Sequence, residues 1–228
     1  AHKPILEEQA EMVAQARALL PDIPVFFGME WNGPGGRHVN VIFPPSAREA
    51  RHALEFVREH DQRVNEREPD IQAALGMLRS LPSAERPVVF FNHPSAQVGF
   101  EHAHLDLFME AGGRDVFVGS EALHGHQAWP TACAIDPYAY PASKVGGLCD
   151  YVYAKGRPFA LLAHSDFHVH KQDTRPDYPL GLFNHTLVGV PEGARGAAAV
   201  LDGLRAGRTC AAQEFWFTLQ QFSVGTAT

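Results

Sequence analysis

The feature that most constrains this chain is a succession of short apolar runs, each separated from the next by a stretch with helical spacing. The runs are Val25-Phe26-Phe27, Val88-Val89-Phe90-Phe91, Val116-Phe117-Val118-Gly119 and Phe159-Ala160-Leu161-Leu162-Ala163, with further strands at 38–43, 186–190 and near Thr209. Continuous apolar runs of this length suit strands buried on both faces, and their alternation with helices implies a mostly parallel sheet under helices. Helical spacing is read at 5–20, 70–81, 105–111, 144–155 and 193–206. A further helix opens at Ser46-Ala47-Arg48-Glu49, which has the spacing of a capping box, and runs to about residue 64. The 228 residues hold no internal repeat, linker or low-complexity stretch, so 1–228 reads as one domain.

The strands share a second property. One ends in Gly28-Met29-Glu30, another in Asn92-His93-Pro94, and a third in Ser165-Asp166-Phe167-His168. Loops after the C-terminal ends of strands form the active sites of α/β folds, so carboxylates and imidazoles recurring there point to metal coordination. Asp166 and His168 are the strongest pair, because residues i and i+2 of an extended segment project to one side. Each residue also has a plainer reading. Asp166 is then the cap of a turn, His93 a hydrogen-bonded core histidine, and Glu30 half of a structural ion pair. His38 opens its strand instead of ending one.

Composition supports the site and narrows the partners. There are 13 histidines against 19 lysines and arginines together, and histidine is the commonest metal ligand. The net charge of −7 argues against a nucleic-acid-binding module but leaves room for a small anionic substrate beside bound cations. The three cysteines, Cys133, Cys149 and Cys210, lack the spacing of a zinc knot or a disulfide scaffold, which favours the cytoplasm. No apolar run is long enough to span a membrane, and the first residues do not read as a signal peptide. A signal lying upstream of these residues would instead mean export.

Taken in order, Gly28-Met29-Glu30 with His38-Val39-Asn40, then Asn92-His93-Pro94, then Ser165-Asp166-Phe167-His168 resemble the later motifs of the PHP (polymerase and histidinol phosphatase) family. Gly119-Ser120-Glu121-Ala122-Leu123-His124-Gly125-His126-Gln127 and Gly146-Gly147-Leu148-Cys149-Asp150 resemble a bacterial subgroup of its phosphoesterases. The similarity covers about 25–207. It implies a distorted, TIM-like (β/α)7 barrel with two or three divalent ions, Mn, Zn or Fe, at its C-terminal face. Glu30, His38, His93, Asp166 and His168 then take the ligand positions, with Asp166, His168 and His93 also carrying the catalysis. Glu121 and His126, beside the site in the subgroup pattern, become candidates for ligation or substrate contact, and Arg37, next to a ligand in sequence, is a candidate for phosphate contact or an ordinary loop residue. Proteins of this family usually begin with strands ending in His-x-His and Asp-His, and neither precedes Glu30, so the resemblance implies a sequence that starts after two strands. His102-Ala103-His104 has the first spacing but no strand leading into it, and reads as a helix start.

The chemistry such a site implies is hydrolysis of a small phosphate ester. Bound ions lower the pKa of a water, giving hydroxide that attacks phosphorus in line, and no side-chain nucleophile is needed. No G-x-S-x-G elbow occurs, and the Gly33–Gly36 turn lacks the Gly-Lys-Ser/Thr ending of a phosphate loop. His124, His170, Lys171 and Arg175 lie near the ligands in sequence, and 129–141 has the aromatics and prolines of a pocket wall or a surface loop. Two rivals remain: a metal-dependent amide or carboxylic ester hydrolase, and a non-catalytic metal- or ligand-binding remnant.

Overall fold

The computed structural model describes residues 6–34, 37–92, 102–123, 145–166 and 184–213. Strands β1 (Phe27–Asn32), β2 (His38–Phe43), β3 (Val88–Phe91), β4 (Phe117–Leu123) and β5 (Ala160–Ala163) form one sheet in that spatial order. β2 runs antiparallel to both neighbours, while β3, β4 and β5 run parallel to one another. A second sheet pairs β6 (Asn184–Val188) with β7 (Thr209–Gln213), antiparallel. Seven helices intervene: α1 (Leu6–Leu19), α2 (Glu49–His60), α3 (Gln62–Asn65), α4 (Ile71–Ser80), α5 (His102–Val116), α6 (Leu148–Ala154) and α7 (Gly196–Arg205).

Among the described residues this is no (β/α)7 barrel, and the expected closed barrel is corrected to an open, mixed five-stranded sheet with a two-stranded annex. Part of the reason lies between Asn32 and His38. Gly33 N donates to Arg37 O at 2.8 Å, closing a tight turn that folds β2 straight back on β1. A crossover helix has no room there, so the pair is antiparallel.

The sheet's two faces are covered unequally. Phe27, Met29, Trp31, Val39, Val41, Phe43, Val89, Phe91 and Phe117 point to one face, where they pack with residues of α1, α2, α4, α5 and α6. Aromatic rings dominate this layer: Trp31 meets Phe56 edge-on at 5.1 Å and Phe91 lies 4.6 Å from Phe108. The alternate residues Ile42, Val88, Phe90, Val118, Ala160 and Leu162 pack on Leu201 and Leu204 of α7 and on Val188. Among the described residues that second layer is the smaller of the two.

Local anchors explain where the helices begin and end. Ser46 N donates to the Glu49 carboxylate at 3.2 Å, one half of the anticipated capping box, but the Ser46 hydroxyl accepts from Arg48 N instead of closing the other half. The helix from there ends at His60 instead of 64, because Asp61 adopts an extended backbone and caps α3 through Arg63 N and Val64 N. Asp70 caps α4 in the same way. Annex and main sheet join through side chains. Thr209 Oγ1 accepts from Leu161 N at 3.0 Å, and Thr186 Oγ1 accepts from Ala163 N at 2.9 Å while donating to Ala163 O. These hydroxyls satisfy main-chain groups of β5 that a closed barrel would give to another strand. No helix among the described residues is long and apolar enough to cross a membrane.

Candidate functional site

Because side chains alternate along a strand and cross-strand partners share a face, the polar residues at one end of the sheet can be assigned to faces. β1 and β2 pair Glu30 with Asn40 and Asn32 with His38. Their neighbours Met29, Trp31, Val39 and Val41 belong to the aromatic layer, so Glu30, His38 and Asn40 stand on the opposite face. Asn92 follows two residues after Phe90 and reaches the same place, donating its Nδ2 to Glu30 Oε1 at 2.8 Å. That oxygen also lies 3.3 Å from His38 Nδ1. The Glu30 side chain keeps 41% of its surface exposed, so the group opens to solvent.

Glu121 and His164 continue this row on β4 and beyond β5. Glu121 pairs with Leu162, which lies in the α7 layer, so it shares the face of Glu30 and His38. A register shift puts it there. Val89 pairs with Phe117, but Phe90 pairs with Gly119, so β4 carries one extra residue and its alternation reverses. Such a bulge re-aims the side chains that follow it. Glu121 is 1% exposed, and its Oε1 lies 3.4 Å from His164 Nδ1. The imidazole rests 5.0 Å from the Phe90 ring, and its main-chain oxygen accepts from Asn184 Nδ2 at 3.0 Å.

Gly119 permits the bulge. A Cβ there would stand 2.1 Å from Ala160 O and 2.8 Å from Ala160 Cβ, both on the neighbouring strand. Gly119→Ala is therefore expected to cost about 1–3 kcal/mol through overpacking, and more where β5 cannot shift. Urea unfolding measures the loss, and a variant as stable as the parent would contradict this packing.

Each sequence-derived candidate can now be placed. Glu30 and His38 meet, and Glu121 lies in the same row on β4. Arg37 is buried in the β1–β2 turn, with Nη1 donating to Pro34 O at 2.9 Å and Nη2 3.3 Å from His104 Nε2 at the start of α5. It therefore clamps the turn to that helix. His102 and His104 do open a helix, and His102 stacks on Tyr151 at 4.0 Å. Asp166 follows β5, but its backbone is left-handed, with φ 43°, so the extended geometry that would pair it with His168 does not hold at this residue. His93, His126 and His168 lie outside the described residues, as do His124, His170, Lys171, Arg175 and the stretch 129–141.

Two residues of the row escaped the sequence reading. Asn92 was overshadowed by the adjacent histidine, although it is the residue directly leaving β3. His164 directly follows an apolar run and alternates with Leu162, a signal that would have assigned it to the Leu162 face.

Chemically the row offers two carboxylate–imidazole pairs, a donor set that suits divalent first-row ions. Strands lie about 4.8 Å apart, so the pair on β1–β2 and the pair on β4–β5 are about 14 Å apart along a flat sheet. Accordingly, no three His, Cys, Asp or Glu side chains among the described residues gather around one point. The donors fit a metal in kind, but neither pair alone completes a coordination sphere.

No family model matches this chain, and neither a curated protein nor a solved structure does.

Proposed function

We propose that this chain is a metal-dependent hydrolase of small phosphate esters, working at the polar end of the sheet face that carries α7. The observation that carries the reading is the row Glu30, His38, Asn92, Glu121 and His164, in which successive strands each bring a polar residue to one face at the same end of the sheet. Among the described residues the apolar side chains of the strands go into the two layers, and the row adds carboxylates and imidazoles to the α7 face. The ordered motif resemblance to PHP phosphoesterases supports the same chemistry independently of fold.

In this reading Glu30 and His38 hold one divalent ion, with His93 added as a ligand by its sequence motif, and Asp166 and His168 serve a second ion without the extended i, i+2 pairing, since the Asp166 backbone is left-handed. When bound, such ions bring the pKa of water toward neutrality and offset charge on the leaving oxygen. The chain's own residues do the positioning. Asn92 fixes the Glu30 carboxylate through a direct hydrogen bond, and Arg37 fastens the β1–β2 turn so that His38 is presented at a constant angle. His126 is assigned to the substrate side of the site, whereas Glu121, 1% exposed, is too deeply buried to meet a substrate.

The test is turnover of an aryl phosphate by the full chain, with Mn²⁺ added and after chelation. Mn²⁺-dependent release of phosphate is expected, abolished by chelator and restored by metal. Metal-dependent cleavage of an aryl ester or amide without phosphate release would shift the reading to carbonyl substrates, and binding of metal without any turnover would leave a binding domain.

A further inference from the structure

His164 has two neighbours on its ring and one on its main chain, and one of its ring nitrogens is left over. Glu121 faces Nδ1 at 3.4 Å, Phe90 lies beneath the ring at 5.0 Å, and Asn184 holds the main chain of the same residue. Nε2 is buried and has no hydrogen-bond partner among the described residues. An imidazole nitrogen in that position costs about 1–3 kcal/mol unless something pairs with it.

The arrangement approaches a general rule of metal sites, with Glu121 Oε1 at ion-pair distance from Nδ1 although not hydrogen-bonded to it. A ligating histidine usually gives its other ring N–H to a carboxylate, which sets the tautomer, holds the ring and raises its basicity. A carboxylate as deeply buried as Glu121 is poorly placed to meet a substrate, yet it is well placed for that supporting role. The bulge at Gly119 is what turns Glu121 toward His164, so the fold makes a local rearrangement to form this pair.

We propose that His164 is a metal ligand through Nε2, with Glu121 as the carboxylate that orients it. This inference rests on the metal-dependent reading above and adds a ligand to it. The tautomer it requires carries the proton on Nδ1, facing Glu121, and leaves the Nε2 lone pair for the ion.

The experiment is Zn²⁺ titration of the full chain by calorimetry, for the wild type, His164→Gln, Glu121→Gln and Asp166→Ala. Alongside it, long-range proton–nitrogen NMR of histidine-labelled wild-type protein reads the ring nitrogens directly. Both His164→Gln and Glu121→Gln are expected to weaken Zn²⁺ binding, the second by about 10–100-fold. In the wild-type spectrum the His164 Nε2 resonance, identified by its loss in His164→Gln, should move on Zn²⁺ addition while Nδ1 stays protonated. Should a substitution prevent folding, perturbation of one imidazole's Nε2 with Nδ1 protonated in the wild type still decides: its absence overturns the assignment. Unchanged affinity in His164→Gln, with binding lost in Asp166→Ala, would overturn the His164 inference and leave the metal-dependent function standing. No Zn²⁺ binding by the wild type would overturn both.

Discussion

Replacing Asp61 with alanine is expected to lower the stability of the domain by about 3–5 kcal/mol, a large share of what a domain of this size has to lose. Asp61 is fully buried and all of its work is done inside the fold. One oxygen, Oδ2, accepts from Asn32 N at 3.0 Å and from Asn32 Nδ2 at 2.9 Å, at the very end of β1. The other, Oδ1, accepts from Arg63 N and Val64 N and so caps α3. Loss of a helix cap costs about 1 kcal/mol, and each donor left buried without an acceptor costs about 1–3 kcal/mol. Next to it, Trp31 Nε1 donates to His60 O at 2.7 Å, so the α2–α3 joint and the end of β1 form one buttressed unit. Asp61→Asn keeps an acceptor oxygen and should lose distinctly less. Urea unfolding of both variants checks this, and a loss below about 1 kcal/mol for the alanine variant would mean that this carboxylate is not the anchor described.

The second large effect should appear in catalysis without appearing in stability. Glu30→Ala and His38→Ala are each expected to lower metal-dependent phosphate release by about 10³-fold, since removing a ligand removes the ion's contribution to the transition state. Their folding should change little, because Glu30 is substantially exposed and His38 only half-buried. The two variants combined should be hardly worse than either alone, as expected of residues that act as a unit. A tenfold or smaller drop in each, adding in the double variant, would argue that this pair is a structural ion pair and not part of the site.

Asp61 also illustrates what the amino-acid sequence does not reveal. It falls inside the stretch 46–64 read as one helix, and nothing in periodicity tells that it ends α2, caps α3 and reaches with its other oxygen a strand 29 residues earlier. By contrast, β2 and α4 were legible almost to the residue, because strict apolar patterning over 38–43 and an Asp cap before 71–80 are local signals. The open sheet was not legible, because the same short apolar runs serve an open sheet and a closed barrel equally well. The hairpin of β1 and β2 was legible in principle. A turn of five residues rich in glycine and proline is the signal of an antiparallel connection, and it outweighs the expectation of parallel strands.

The candidate site divides in the same way. Glu30 was selected as a strand end, although β1 runs on to Asn32, and His38 only through the motif resemblance; the structure brings them within 3.3 Å. The Glu121–His164 pair depends on the bulge between Phe117 and Gly119, which shifts a face assignment by one residue and leaves no trace in an apolar pattern. Glycine at 119 is the only sign of it, and that glycine ended a predicted strand instead of marking a bulge within a longer one.

The measurement closest to the central claim is metal per chain, by elemental analysis of full-length protein purified without chelator, for the wild type, Glu30→Ala and Asp166→Ala. The account predicts about one to three equivalents of Mn, Fe or Zn in the wild type, falling in both variants while their unfolding transitions stay cooperative. Substoichiometric metal that neither substitution changes would contradict it, and the row of carboxylates and imidazoles would then be a polar sheet end with no ion to hold.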